Sequence, residues 1–291
     1  MPRLAPLLFT ALLLLAACGE SALDDPDAIA ERIAAAAAEN FEGVRDFTVR
    51  GDGMVVHFRR AGADSLAFFE GRAFTDDSAR QEVVLPYALP NGVQLGRGLR
   101  GNARLAGTVE RDGETLYVLD ADDPGPVLGA PDGAPTTIDS IRVYVDAEAF
   151  RVREVVVTTP QTSLDPEADA SAAPLVNRRR FGDFRTVDGV ALPFLITTQI
   201  SGVVVPEETR AVQGGMLELQ RRQAQQLPAA ERARVLEQIE NRRRFLTTGE
   251  LEETFAVEAA EVNAGIPEGT FGTPPGAGPP LEAPPAGPAG E

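Results

Sequence analysis

The sequence contains no lysine or tryptophan, one cysteine and one histidine, and these absences exclude several common catalytic sites. All 27 positions counted as lysine or arginine are arginine, which excludes a lysine Schiff base and the lysine of a Walker-type phosphate loop. Cys18 and His57 are too few for a His/Cys zinc site, and no G-x-S-x-G motif is present. We therefore predict a protein that is not an enzyme and uses no cofactor.

The chain is also poor in positive charge. Its 44 acidic residues against 27 arginines give a net charge of −17, which argues against nucleic acid as a partner because phosphate binding needs a basic surface. The acidic pairs lie in turn-like sequence without the D-x-D-x-D-G spacing of a calcium loop, so no metal site is expected. Apolar residues make up 43%, which is typical of a globular protein.

The N-terminus has the pattern of a secretory signal. Arg3 precedes an apolar run over 4–17, which is too short to cross a bilayer core of ~30 Å. The segment Leu15-Ala16-Ala17-Cys18-Gly19 resembles the bacterial lipobox. That resemblance implies that residues 1–17 are removed, that Cys18 carries acyl chains such as palmitate, and that these anchor the protein in a membrane. Gly19 in place of aspartate favours the outer membrane, with the protein facing the periplasm.

The sequence after Cys18 divides into a tether (18–25), one domain (26–272) and a Pro/Gly-rich tail (273–291) that is expected to be disordered. Asp25 and Pro26 are typical of a helix N-cap and N1 position. From about residue 45 to 206, apolar residues alternate with period two and are separated by Asp-Gly turns, which indicates antiparallel strands. Residues 213–248 have helical spacing and predict an inserted helical hairpin.

Four segments resemble those of the outer-membrane lipoprotein-sorting and carrier (LolA- and LolB-like) family. They are Leu99 to Leu119, Ile141 to Glu154, Phe181 to Pro193 and Phe255 to Pro267. The resemblance implies an α+β fold, with an open antiparallel half β-barrel under a helical lid. It also implies that the concave apolar face binds acyl chains of a lipid or lipoprotein.

The residues expected to line this acyl-chain cavity are bulky apolar residues of the alternating strands. An equally open interpretation is that they pack as an ordinary core. The candidates are Phe58, Phe68, Val109, Val143, Phe184, Phe194 and Ile196.

The arginine run 178–180 allows two interpretations. With other strand arginines it forms a basic stripe for lipid phosphates or an acidic partner, or it pairs across strands with Glu154 and Asp183 on a solvated face. His57 lies at a polar position of its strand, so we expect a surface or cross-strand histidine.

Two functions remain open at this point. The first is a membrane-anchored lipoprotein that carries or receives lipid or lipoprotein acyl chains. The second is an envelope sensor or protein-interaction module on the same fold, in which the hairpin 213–248 binds a protein partner. A hydrolase with a paired carboxylate site has no supporting spacing.

Overall fold

The computed structural model describes residues 23–61, 69–76, 80–83, 87–127, 137–160 and 173–271. The helices are α1 (Pro26–Asn40), α2 (Gly92–Leu99), α3 (Pro124–Val127), α4 (Glu207–Ala224) and α5 (Ala229–Thr248). The strands are β1 (Asp46–Gly51), β2 (Met54–Arg60), β3 (Phe69–Thr75), β4 (Glu82–Val83), β5 (Ala103–Arg111), β6 (Glu114–Ala121), β7 (Ser140–Asp146), β8 (Val152–Thr159), β9 (Leu175–Val187), β10 (Val190–Ser201), β11 (Leu251–Ala256) and β12 (Ala259–Val262). The predicted signal segment, Cys18 and the tail 273–291 lie outside the described residues.

The strands form two antiparallel sheets that are not closed into a barrel. One has five strands in the order β12-β1-β2-β3-β4, and the other has seven in the order β11-β10-β9-β8-β7-β6-β5. Most neighbours follow one another along the chain, as the Asp-Gly turns predicted. Asp112 and Asp188 adopt the left-handed conformation in these turns, with φ of 54° and 49°, which aspartate tolerates better than most residues. The predicted open α+β fold is therefore confirmed.

Helix α1 begins as the sequence predicted. The Asp25 side chain accepts a hydrogen bond from the backbone N–H of Asp27 at 3.0 Å, and Pro26 occupies the first helical position. Ile29, Ala30 and Ile33 are fully buried on one face, which joins the single core between the sheets. Burying this face is what stabilises the helix, since its alanine-rich remainder has little surface to bury.

Helix α2 was not anticipated from the sequence, because its eight residues include three glycines. These glycines permit an unusually close approach. A Cβ at Gly96 would lie 2.5 Å from the carbonyl oxygen of Ala30, and one at Gly92 would lie 2.6 Å from the Ala37 Cβ. Packing against α1 thus compensates for low helix propensity, and α1 and α2 together form a two-helix layer, here called the lid.

The helical insertion is present as α4 and α5, and it begins at Glu207, earlier than predicted. Pro228 is the N-cap of α5. At its base, the Val203 N–H donates to the Gly249 carbonyl at 3.3 Å, so the two ends of the insertion meet at the end of β10. Among the described helices, none is long and apolar enough to span a bilayer.

Candidate functional site

An apolar cavity lies between the lid and the two sheets. Its α1 wall is formed by Ile33, Ala36 and Ala37, and its floor and rim are mostly aromatic. Seven phenylalanines line it: Phe41, Phe47, Phe58, Phe69, Phe150, Phe181 and Phe184. Seven of the described phenylalanines therefore converge on one space, which we call the phenylalanine cavity.

The rings pack against one another on the five-stranded side of this cavity. Phe47 and Phe58 stack with centroids 4.4 Å apart, and Phe69 meets Phe47 edge to face at 5.1 Å. Such pairs add about 0.5–1.5 kcal/mol each beyond the burial of their area. The wall is thus preformed by its own contacts, as ligand pockets usually are.

The lid is fastened to the seven-stranded sheet at the C-terminal end of α1. The Asn40 side chain accepts a hydrogen bond from the Ala191 N–H at 2.8 Å and donates one to the Ala191 carbonyl at 3.1 Å. Both residues line the phenylalanine cavity. The cavity volume is about 140 Å³, whereas pockets for drug-sized ligands measure about 300–1,000 Å³. Holding a whole acyl chain therefore requires the lid or the rings to move.

Phe150 separates the phenylalanine cavity from a second, larger one of about 990 Å³ on the other side of α1. It has a φ of 53°, a conformation that a bulky side chain rarely adopts, and it is only 7% exposed. The Arg32 guanidinium lies 4.6 Å from its ring centroid. The second cavity also contains Glu31, Glu114 and Glu148, so it is the more polar of the two.

The predicted lining residues fall into four groups, of which the exposed Val109 is described separately below. Phe58 and Phe184 line the phenylalanine cavity. Val143, Phe194 and Ile196 lie in the buried core rather than at the cavity wall. Phe68 lies outside the described residues.

Val109 departs from the expectation, because it is 38% exposed and does not line the cavity. A β-bulge between Leu105 and Gly107 shifts the register of β5 against β6. One extra residue moves every later side chain to the opposite face, so the apolar alternation read through this strand placed Val109 on the wrong side.

Sequence reasoning missed Phe181 as a wall residue for a similar reason. Residues three apart in a regular strand point to opposite faces, yet Phe181 and Phe184 both line the cavity. Between them Asp183 has a φ of 48°, which interrupts the strand. The aspartate is the only sequence signal for this irregularity.

The arginine run pairs across strands, and its acidic partner is buried rather than solvated. Glu154 is fully buried. Its Oε2 accepts hydrogen bonds from Arg111 at 2.5 Å and Arg180 at 2.7 Å, and its Oε1 lies 3.5 Å from the Arg178 Nε. Asp183 pairs with Arg185 of its own strand rather than across strands. The basic-stripe interpretation is therefore weakened, since most of these charges have partners.

His57 is a cross-strand histidine, as expected, but it is not on the surface. It is 3% exposed, its Nδ1 lies 2.9 Å from the Thr48 hydroxyl, and its Nε2 lies 3.3 Å from an Arg80 nitrogen. Because arginine only donates, Nε2 must accept, and Nδ1–H donates to Thr48. Burial, with the nearby charges of Arg80 and Arg50, lowers the pKa of His57 to about 4.

Across the described residues, no cluster of three or more histidine, cysteine, aspartate or glutamate side chains is arranged to hold a metal ion. The buried hydroxyl of Tyr87 donates to the Pro193 carbonyl at 3.1 Å, and its burial raises the pKa of the phenol. The lining of the phenylalanine cavity is mostly aromatic and aliphatic, which suits an apolar ligand.

Comparison with known proteins gives structural similarities at low identity. No family model matches the sequence, and no curated protein matches it. A DUF1329 family protein from Desulfovibrio piger aligns over 85% of this chain and 97% of its own, at 8% identity and a TM-score of 0.40. A putative outer membrane lipoprotein-sorting protein domain from Vibrio parahaemolyticus aligns over 84% of this chain and 97% of its own, at 9% identity and a TM-score of 0.35.

A LolA superfamily protein from Nitrosomonas europaea covers 84% of this chain and 97% of its own, at 12% identity and a TM-score of 0.32. These scores are too low to transfer a function. The function of this chain has to follow from the residues of its own site.

Proposed function

We propose that this protein is a membrane-anchored lipoprotein of the cell envelope that binds acyl chains of a lipid or lipoprotein in the phenylalanine cavity. The observation that carries the proposal is the convergence of seven phenylalanines beneath a two-helix lid. The lipobox-like sequence around Cys18 supports attachment to the outer membrane on its periplasmic side.

Apolar burial would drive this binding. Each Å² of acyl surface removed from water contributes about 25 cal/mol, and the lining offers few polar groups that would favour a water-filled cavity. The fastening of α1 by Asn40 supports a lid that opens to admit the chain and closes over it.

The test is native mass spectrometry of residues 19–291, a segment that retains every described residue. The protein is mixed with a phospholipid and, separately, with a triacylated peptide. We expect one bound molecule per chain. Detection of only the ligand-free protein with both the phospholipid and the peptide would contradict the proposal.

Matched variants on adjacent positions of α1 locate the site. Ala36 lines the phenylalanine cavity, whereas Ala35 lines the second cavity. We expect Ala36→Phe to fill the smaller space and abolish uptake, and Ala35→Phe to leave uptake unchanged. Loss of uptake in both variants, or in Ala35→Phe alone, would place the ligand elsewhere.

The alternative, a protein-interaction module, is favoured by one observation. Val212, Met216 and Leu219 form a stripe along α4 and are 64%, 53% and 56% exposed. Exposed apolar stripes often mark interaction sites. If this alternative holds, substituting all three residues by serine should abolish a specific cross-link to another protein in cell envelopes. Lipid uptake should persist in the same variant. Unchanged cross-links would remove the basis for this alternative.

A further inference from the structure

Arg179 lies on the opposite side of β9 from its two arginine neighbours. Arg178 and Arg180 reach Glu154 on the convex face. Arg179 is paired in register with Val155 of β8 and Thr198 of β10, and the next residue on its side is the cavity-lining Phe181. The alternation of the strand therefore places one arginine of the run on the concave, apolar side.

The side chain of Arg179 enters a small space that adjoins the phenylalanine cavity. This space has a volume of about 240 Å³ and shares Leu89, Pro90 and Phe181 with the phenylalanine cavity. Its other walls include Val155 and Val157, and it contains no carboxylate among its lining residues. A positive charge thus lies at one end of a continuous apolar surface.

The guanidinium is short of partners in the described part of the chain. Its Nε donates to the Thr198 hydroxyl at 3.3 Å, and no described carboxylate lies within 4.0 Å. Burial lowers the pKa of Arg179, the direction expected for a cation with no carboxylate beside it among the described residues. A half-buried cation of this kind costs free energy unless an anion pairs with it.

We propose that Arg179 binds the anionic head of a lipid whose acyl chain occupies the phenylalanine cavity. The planar guanidinium donates in a fork that fits a carboxylate or a phosphate, so the shared chemistry is an anionic oxygen group in the head of a single-chain lipid. This inference rests on the function proposed above and narrows its ligand to an amphiphile with a negative head.

Three probes with the same sixteen-carbon chain test the proposal on residues 19–291. They are palmitic acid, palmitoyl lysophosphatidic acid and neutral hexadecanol, each measured by displacement of a fluorescent fatty acid. We expect the wild type to bind at least one anionic probe about 10- to 100-fold more tightly than hexadecanol, which is the range of one charge-assisted hydrogen-bonded pair. The stronger of the two anionic probes identifies the carboxylate or the phosphate as the source.

Variants separate the charge from the size of the side chain. Arg179→Met should lose the preference for the anionic probe while its affinity for hexadecanol stays within about twofold, and Arg179→Lys should retain part of it. The control Arg104→Gln removes an exposed arginine that pairs with Asp120, and Asp120 still pairs with Arg142 in this variant. The control variant should bind all three probes like the wild type.

The outcomes distinguish this inference from the function on which it rests. Equal wild-type affinity for palmitic acid, lysophosphatidic acid and hexadecanol would overturn the role of Arg179 and leave the acyl-chain site standing. An anionic preference that survives in Arg179→Met would also overturn it. Failure of all three probes to bind would overturn both. The wild-type comparison decides the matter even if Arg179→Met does not fold.

Discussion

At the residue scale, His57 couples the stability of the five-stranded sheet to pH. Its folded-state pKa of about 4 lies below the unfolded value near 6.5, so the unfolded chain binds the proton first. Its contribution to stability is therefore full at pH 7 and is lost as the pH falls from about 6.5 towards 4. We expect the free energy of unfolding in urea to fall more between pH 7 and 4.5 in the wild type than in His57→Gln.

Both proteins carry the same carboxylates, so the difference between the two pH slopes isolates His57. Parallel slopes would show that the buried imidazole takes up its proton without cost.

Glu154 is the second residue whose environment has a measurable consequence. Substituting Glu154→Gln leaves three arginines around a neutral amide at a fully buried position. Breaking a buried ion pair costs about 3–5 kcal/mol, and the partial exposure of these arginines places the expected loss at about 3 kcal/mol. The control Glu70→Gln breaks an exposed pair with Arg59 and should cost less than about 1 kcal/mol.

Urea unfolding of both variants checks this difference. Similar losses for the two would mean that the cluster around Glu154 is solvated in solution.

At the element scale, the two hydrogen bonds of Asn40 set how readily the lid opens. Asn40→Ala removes both, at a cost of about 2 kcal/mol for two ordinary hydrogen bonds. If that whole cost appears in the opening equilibrium, uptake of a fluorescent fatty acid becomes up to about 30-fold faster. Stopped-flow mixing measures the rate.

The control for this prediction lies at the other end of the same helix. Asp25→Ala removes the N-cap hydrogen bond and costs about 1 kcal/mol without releasing α1 from β10. We expect its uptake rate to match the wild type. Equal acceleration in both variants would show that general loosening of α1, rather than the contact with Ala191, controls entry.

Elements with a strong local signal were predictable from the sequence. Asp25 and Pro26 define the start of α1, Asp-Gly turns define the hairpins, and apolar alternation defines the strands between them. Helix α2 was not predictable, because its glycines oppose a helix locally and become favourable only through close packing against α1 and α3.

Two positions of the candidate site, Val109 and Phe181, were misjudged where a strand departs from regular alternation. The bulge in β5 and the left-handed Asp183 in β9 each change which side chains face the concave side. Neither irregularity has a period, so a periodic pattern cannot reveal it. Arg179 was missed differently, since its face follows from alternation but its lack of a partner depends on the tertiary packing.

At the scale of the whole molecule, the net charge of −17 opposes the approach of the protein to an anionic membrane. The apolar side chains that line the cavity act only on contact, whereas the excess of acidic residues repels anionic surfaces at long range. If the protein binds lipid as proposed, its net charge would oppose the approach to an anionic ligand source, and apolar binding would follow only after contact.

This repulsion gives a prediction for the salt dependence of lipid uptake. Raising NaCl from 10 to 100 mM shortens the screening length from about 30 Å to about 10 Å. We expect uptake of a fluorescent fatty acid from phosphatidylglycerol vesicles to become faster with salt, while uptake from zwitterionic phosphatidylcholine vesicles stays constant. Because both vesicles deliver the same ligand to the same cavity, the difference reports the encounter alone. A rate that falls with salt on the anionic vesicles would instead reveal a local basic surface that docks the protein despite its net charge.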